Sequence, residues 1–233
     1  MTIAHALHDD NAFFIYIVWR HRGAMDTLYY SPGACSLAVH VALEEIGRPF
    51  ETVLVSIPDG ANRRPEYLAI NPHARVPTLR SEGAVITQVG AILNHLADRD
   101  PDVRLAPSPG TLARTRFQEW QSWLASSVHI AFAQIWRGER FADDEAARAS
   151  VGACGRRTVR SFFAEIDAKL ADRDHALDAY SALDPYLMVF YRWGHRIGEP
   201  MEGYRAFERL ARAVAARPAA QRAMAREGVT LSG

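Results

Sequence analysis

Hydrophobic and polar positions divide the chain into two regimes. In the first, short apolar runs alternate with amphipathic stretches. Residues 27–30 (TLYY) read as a buried strand that breaks at Ser31-Pro32-Gly33. Across residues 35–46 (CSLAVHVALEEI), Leu37, Val41 and Ile46, with Ala38 and Ala42, recur at helical spacing, and Gly47 supplies a C-terminal stop. Residues 50–57 (FETVLVSI) alternate as a second strand. A β-α-β unit of roughly thirty residues predicts a parallel strand pair. A loop over 58–64 leads to a short helix at 65–70, and Asn71-Pro72 breaks it. Residues 75–79 (RVPTL) and 84–87 (AVIT) predict two short strands around a Ser81-Glu82-Gly83 turn, followed by a helix over 89–98.

The segment 101–110 contains Pro101, Pro107, Pro109 and Gly110 and reads as a linker. Beyond it no strand pattern occurs. Residues 112–137, 144–170, 185–194, 204–216 and 219–226 all carry helical periodicity. The expectation is an α/β domain over 25–104 followed by an all-helical domain over 111–233. Residues 1–24 differ from both. They hold an apolar run at 12–19 (AFFIYIVW) between Asp9, Asp10 and Arg20, and are expected to form an N-terminal extension. The alternative is a strand or short helix packed on the body, because that run is too apolar for water.

Composition narrows the function classes. No apolar run approaches the ~20 residues of a membrane helix, and the run at 12–19 lacks the flanks of a secretory signal. Lys+Arg and Asp+Glu are each 27, so the net charge is zero, which argues against a nucleic-acid binder. Lys169 is the sole lysine, so nearly all positive charge is arginine. Two cysteines exclude a disulfide scaffold and favour a reducing, cytoplasmic location. No metal site is expected.

Two places carry candidate chemistry. Cys35 follows a Ser-Pro-Gly-Ala turn and opens a helix, where unpaired N–H groups and the helix dipole favour an anion. Such a thiol is expected to be shifted toward thiolate, with Ser36 adding a hydroxyl donor in the first turn. The competing reading is an inert, buried small residue. Cys154 lies mid-helix and reads as structural. At Val76-Pro77, a trans bond is the prior expectation. A cis bond would instead turn the Val76 backbone outward to pair with a bound peptide.

Taken together, YYSPGACSLAVHVALEEIG, EYLAINPHARVPTL and ITQVGAILNHLAD resemble the N-terminal domain of cytosolic glutathione transferases, nearest the bacterial beta class. RTRFQEWQSWLASSVH, SALDPYLMVFYRWG and LARAVAARPAAQRAMAREG extend the resemblance to about Gly228. It implies the glutathione transferase fold: a thioredoxin-like α/β domain, an all-α domain and homodimer assembly. It implies a cis Val76-Pro77 bond and glutathione as co-substrate, with its cysteinyl part paired to Val76 and its sulfur near Cys35. The γ-glutamyl end would meet Gln88 and Val89 at a helix start, a physically apt place for a carboxylate. From the helical domain the implied contacts are Ser122, Ser126, Ser127, Val128 and His129, some of them supplied by the second subunit of the family dimer, with His129 as a donor near the sulfur. The other substrate would be a small hydrophobic electrophile or a disulfide, and the role a detoxifying one.

Four positions depart from that family's pattern. Gln88-Val89 replaces the usual Glu-Ser or Glu-Gly, so Val89 offers only its N–H, a loss on the order of 1.5–3 kcal/mol. The lysine that meets the glycine end is missing, leaving Arg63 or Arg64 as substitutes. Ile130 stands where a basic residue follows the histidine. Leu183-Asp184-Pro185-Tyr186 replaces Ala-Asp-Ala-Tyr, although Ser181 and Asp184 keep the spacing of a reciprocal N-cap. Two functions follow from this reading: a glutathione transferase acting by conjugation or thiol exchange at a reactive cysteine, or a non-catalytic binding or regulatory protein on the same fold.

Overall fold

The computed structural model describes residues 25–232, so expectations for residues 1–24 fall outside the described residues. Strand β1 (Asp26–Tyr30) is central, because Leu28 and its neighbours are apolar on both faces and buried. It pairs in parallel with β2 (Phe50–Leu54) through helix α1 (Ser36–Ile46), as the spacing predicts. After the short helix α2 (Pro65–Leu68), β3 (Thr78–Ser81) and β4 (Ala84–Thr87) add antiparallel, giving the order β2-β1-β3-β4. Helix α3 (Val89–Arg99) follows. This is the thioredoxin-like half. Gly47 ends α1 at φ 72°, a conformation glycine adopts freely, and its N–H caps Leu43 O at 3.1 Å.

The helical half comprises α4 (Leu112–Trp123), α5 (His129–Trp136), α6 (Glu145–Lys169), α7 (Leu183–Arg196), α8 (Arg205–Ala215) and α9 (Pro218–Glu227). Among the described residues no helix is long and apolar enough to cross a membrane. Helix α7 is nearly all buried, and its Tyr186, Phe190 and Trp193 pack with Phe132 of α5 and Phe163 of α6. One continuous apolar core runs from β1 and α1 through α7 to α8 and α9. The two halves therefore share a core across the 101–110 link.

Three local expectations are corrected. The strand expected at 75–79 begins only at Thr78, because side chains rather than a ladder take the Arg75 carbonyl: Tyr67 Oη donates to it at 2.5 Å and Asn71 Nδ2 at 2.8 Å. The single helix expected over 112–137 is interrupted by a π-turn, Leu124–Val128, between α4 and α5. Such a turn rotates everything beyond it relative to a straight helix. Cys154, expected to be structural, is exposed on α6. The reciprocal cap at α7 is present: Ser181 N–H donates to Asp184 Oδ2 at 2.7 Å, and Leu183 N–H donates to Ser181 Oγ at 3.3 Å. Asp184 also accepts from Ala176 N–H at 2.9 Å, tying the preceding loop to the helix start.

Candidate active site

A cleft of about 1070 Å³ opens between the two halves. Its floor is the turn before α1 and the segment before β3. The Val76-Pro77 bond is cis, as the family resemblance implies and against the general prior. Asn62 Nδ2 donates to Ala74 O at 2.7 Å, and Tyr67 and Asn71 both reach Thr78 Oγ1, so the segment is held by buried polar side chains. Among the described residues the Val76 N–H has no hydrogen-bond partner, while Val76 O accepts from Cys35 Sγ at 3.4 Å.

Cys35 lines the cleft and is 6% exposed. The expected shift toward thiolate is overturned. Burial pushes the thiol up to about 12, outweighing the backbone N–H groups at the helix start and the charge of Arg75, which pull the other way. The helix start does lower the pKa, but desolvation is larger. Ser36, expected beside it, is fully buried and faces away. It donates to Ser31 O at 3.2 Å and accepts from Ser31 N–H at 3.3 Å, so it shapes the turn rather than the cleft.

That turn is clamped from the helical half. Gly33 N–H donates to Glu227 Oε2 at 2.8 Å, and Gly33 O accepts from Trp193 Nε1 at 2.9 Å. Glu227 also pairs with buried His40 of α1 at 2.8 Å. Gly33 has φ 65°, and a Cβ there would lie 2.9 Å from Arg192 Nη1, so a larger residue would be strained and would have to displace that guanidinium.

The far wall joins α3 to α4. Gln88 lines the cleft at φ 73°, a costly conformation for a non-glycine residue, and places Val89 at the start of α3. Asn94 Nδ2 donates to Gln121 Oε1 at 2.6 Å, and Arg114 bridges Asn94 and Asp98. The Gln121 amide nitrogen is buried with no partner among the described residues. Ser122 lines the cleft, but Ser126 is exposed and off the wall, with Ala125 in its place. Ser127 and Val128 also lie off the wall.

His129 lines the cleft with its ring edge-on to Trp193 at 5.0 Å. Burial first, then Arg75 and Arg140, lower its pKa to about 4, so it is a neutral imidazole at neutral pH. Because folding holds it below its ordinary value, the linked stability is complete near neutrality and is lost on acidification toward pH 4. Moving from about pH 7 to about pH 5 should cost on the order of 1–2 kcal/mol through this group after allowance for solvent screening. Urea midpoints should therefore fall less over that range in His129→Phe than in the wild type.

Sequence reasoning missed Arg75, Gln121, Trp136, Arg137, Arg140 and Arg196, all of which line the cleft. Arg75 had a signal, since it precedes Val76. The others are brought in by helix packing.

A family model described as the glutathione S-transferase N-terminal domain matches residues 25–98. A glutathione S-transferase of Xanthomonas campestris pv. campestris is 31% identical over 204 residues, covering 87% of this chain and 98% of that protein. A sphingomonad glutathione S-transferase solved in complex with glutathione superposes with TM-score 0.78 at 38% identity, covering 88% of this chain and all (100%) of the other. A bacterial beta class glutathione S-transferase from Sphingomonas chungbukensis gives TM-score 0.77 at 33% identity, with 88% and 100% coverage. With the mixed four-stranded sheet, the helical half and the cleft between them, these likenesses establish that the chain belongs to the glutathione S-transferase family.

Proposed function

We propose that the cleft binds glutathione and that the protein is a beta-class-like glutathione transferase, conjugating the tripeptide's thiol to a small electrophile. The observation that carries this reading is the Val76 ledge beside Cys35. An unpaired backbone N–H in an open cleft is suited to pair with the cysteinyl backbone of glutathione as a short added strand. The γ-glutamyl carboxylate then falls to the Gln88-Val89 end, where the α3 N–H groups favour an anion. The buried Gln121 amide offsets the hydroxyl that Val89 lacks. Arg75 and Arg140, which share a side pocket with Arg63 beyond Val76, take the glycine carboxylate in place of the missing lysine.

With its pKa near 12, Cys35 stays protonated at neutral pH. Its single S–H, which donates to Val76 O in the free protein, turns to the incoming glutathione sulfur once the tripeptide's backbone takes Val76 O, and the positive charge around it favours that sulfur as thiolate. The thiolate forms the C–S bond with the electrophile, and Cys35 acts through a hydrogen bond. This favours conjugation over exchange, because a thiol is a poor attacking species in disulfide chemistry. Ser122 and neutral His129 complete the polar wall. Homodimer assembly, a cytoplasmic location and a role in detoxification belong to the same reading, which the likeness to beta-class relatives supports.

Calorimetric titration with reduced glutathione, on the wild type and on Cys35→Ala, tests it. Binding in the micromolar to low-millimolar range is expected in both. The bound thiol, followed by thiolate absorbance against pH, should have a pKa higher by about one unit in Cys35→Ala, the worth of one hydrogen bond to charged sulfur. No heat at millimolar glutathione from folded protein would overturn the reading and leave the non-catalytic alternative, a protein that keeps the fold without the ligand.

A further inference from the structure

The charged side chains lining the cleft are Arg75, Arg137, Arg140 and Arg196, with His73 and His129 as the other titratable bases. Among the described residues, no aspartate or glutamate lines it, and none of the four arginines forms an ion pair. Elsewhere on this molecule arginines are commonly paired, as Arg99 with Asp26 and Asp100, Arg217 with Glu45, and Arg222 and Arg226 with Glu44. Arginines without an ion pair among the described residues also occur elsewhere, as at Arg104, Arg157 and Arg205; what sets the cleft apart is four such groups lining one cavity that no carboxylate side chain lines. Its field is felt locally: Arg140 is lowered by burial and then by Arg75 and Arg137, with Glu139 partly offsetting them.

Glutathione does not use up this charge. At neutral pH it carries two carboxylates and one ammonium. Its glycine carboxylate accounts for Arg75 and Arg140, which flank the side pocket beyond Val76. Arg137 and Arg196 lie outside that side pocket, at the ends of α5 and α7. The Arg196 guanidinium lies 5.4 Å from the ring centroid of Trp136, whose ring is edge-on to Trp193 at 5.2 Å. Arg137 follows Trp136 directly, at the end of α5. An aromatic wall flanked by two guanidinium groups suits a flat apolar body with an anionic end.

Resting on the glutathione reading above, we propose that the second substrate is a carboxylate-bearing electrophile, its apolar body against Trp136 and Trp193 and its carboxylate held by Arg137 and Arg196. An uncharged hydrophobic acceptor would make no use of these two guanidinium groups, of which Arg196 is exposed and Arg137 part-buried. A cleft lined by one sign of charge also concentrates the anionic substrate before contact.

Chlorodinitrobenzoate and chlorodinitrobenzamide are matched probes. With either, the glutathione sulfur forms the C–S bond at the ring carbon, chloride leaves with the C–Cl electron pair, and the thiol proton goes to solvent. The two differ only in the charge of one substituent. The primary measurement is calorimetric binding of the two purified glutathione conjugates, which needs no turnover. The carboxylate conjugate should bind about tenfold more tightly than the carboxamide, as expected for a charge-assisted contact. The preference should shrink as salt is raised. The double variant Arg137→Gln/Arg196→Gln should bring the carboxylate conjugate down to the affinity of the carboxamide. Equal affinities in the wild type, or a preference that survives in the double variant, overturn the proposal while leaving glutathione binding intact. Absence of binding by glutathione and by both conjugates would instead overturn the glutathione reading and this inference with it.

Discussion

Replacing Glu227 with alanine should destabilise the protein by about 3–5 kcal/mol, because it takes the acceptor from two buried groups, Gly33 N–H and His40 Nδ1, at roughly 1–3 kcal/mol each. The carboxylate is the last residue of α9 and its side chain is fully buried. It accepts from Gly33 N–H and pairs with His40 Nδ1, each at 2.8 Å. His40 Nε2 already has no partner among the described residues, so alanine would leave the ring with neither nitrogen satisfied. The functional effect follows from the same bonds. Gly33 stands two residues before Cys35, and the carboxylate sets where that turn lies. Loss of the tether should lower kcat/KM for glutathione by about tenfold or more, equivalent to one charge-assisted hydrogen bond. Glu227→Gln keeps an acceptor and should recover part of both losses. Urea denaturation and steady-state kinetics on the two variants check this. A Glu227→Ala protein as stable and active as the wild type would show that the clamp is dispensable.

Phe132→Ala should cost a similar amount, about 3–5 kcal/mol, for a different reason. Phe132 is fully buried on α5, with ring centroids of Trp136, Phe163, Phe190 and Trp193 between 5.2 and 6.0 Å away. Truncation removes the transfer free energy of the ring and leaves a cavity that four large aromatics on three helices cannot collapse. Trp136 and Trp193 also form part of the cleft, so they lose their support from behind. KM for the electrophile should rise several-fold while glutathione affinity changes little, because the proposed glutathione contacts lie mainly on the other half. Denaturant midpoints and separate titrations of the two substrates distinguish this pattern from general unfolding.

The elements themselves were legible along the chain. The β-α-β unit, the αL stop at Gly47, the break at Asn71-Pro72 and the helical second half all follow from apolar periodicity and from residues with restricted or permissive backbones. These signals act over a few residues, so they survive without knowledge of the fold. Cys35 at a helix start and the Val76-Pro77 segment were legible for the same reason, and both line the cleft. The direction of Ser36 was not, because its hydroxyl turns back to Ser31 inside the first turn. The π-turn at Leu124–Val128 has no strong local signature either, and in this chain Ser122 and His129 on either side of it line the cleft while Ser126 within it does not.

The proton on Cys35 shows the division most plainly. By itself the sequence determined that a thiol would open a helix, and the helix start does pull its pKa down. Only tertiary packing decided how much water the thiol would lose, and that loss dominates. The four cleft arginines belong to the segment before β3, the chain after α5 and the end of α7, and Gly33 meets a carboxylate 194 residues away. Secondary structure is set by neighbours in the chain. Burial and electrostatic potential are sums over neighbours in space, and those neighbours exist only once the two halves have closed on a common core.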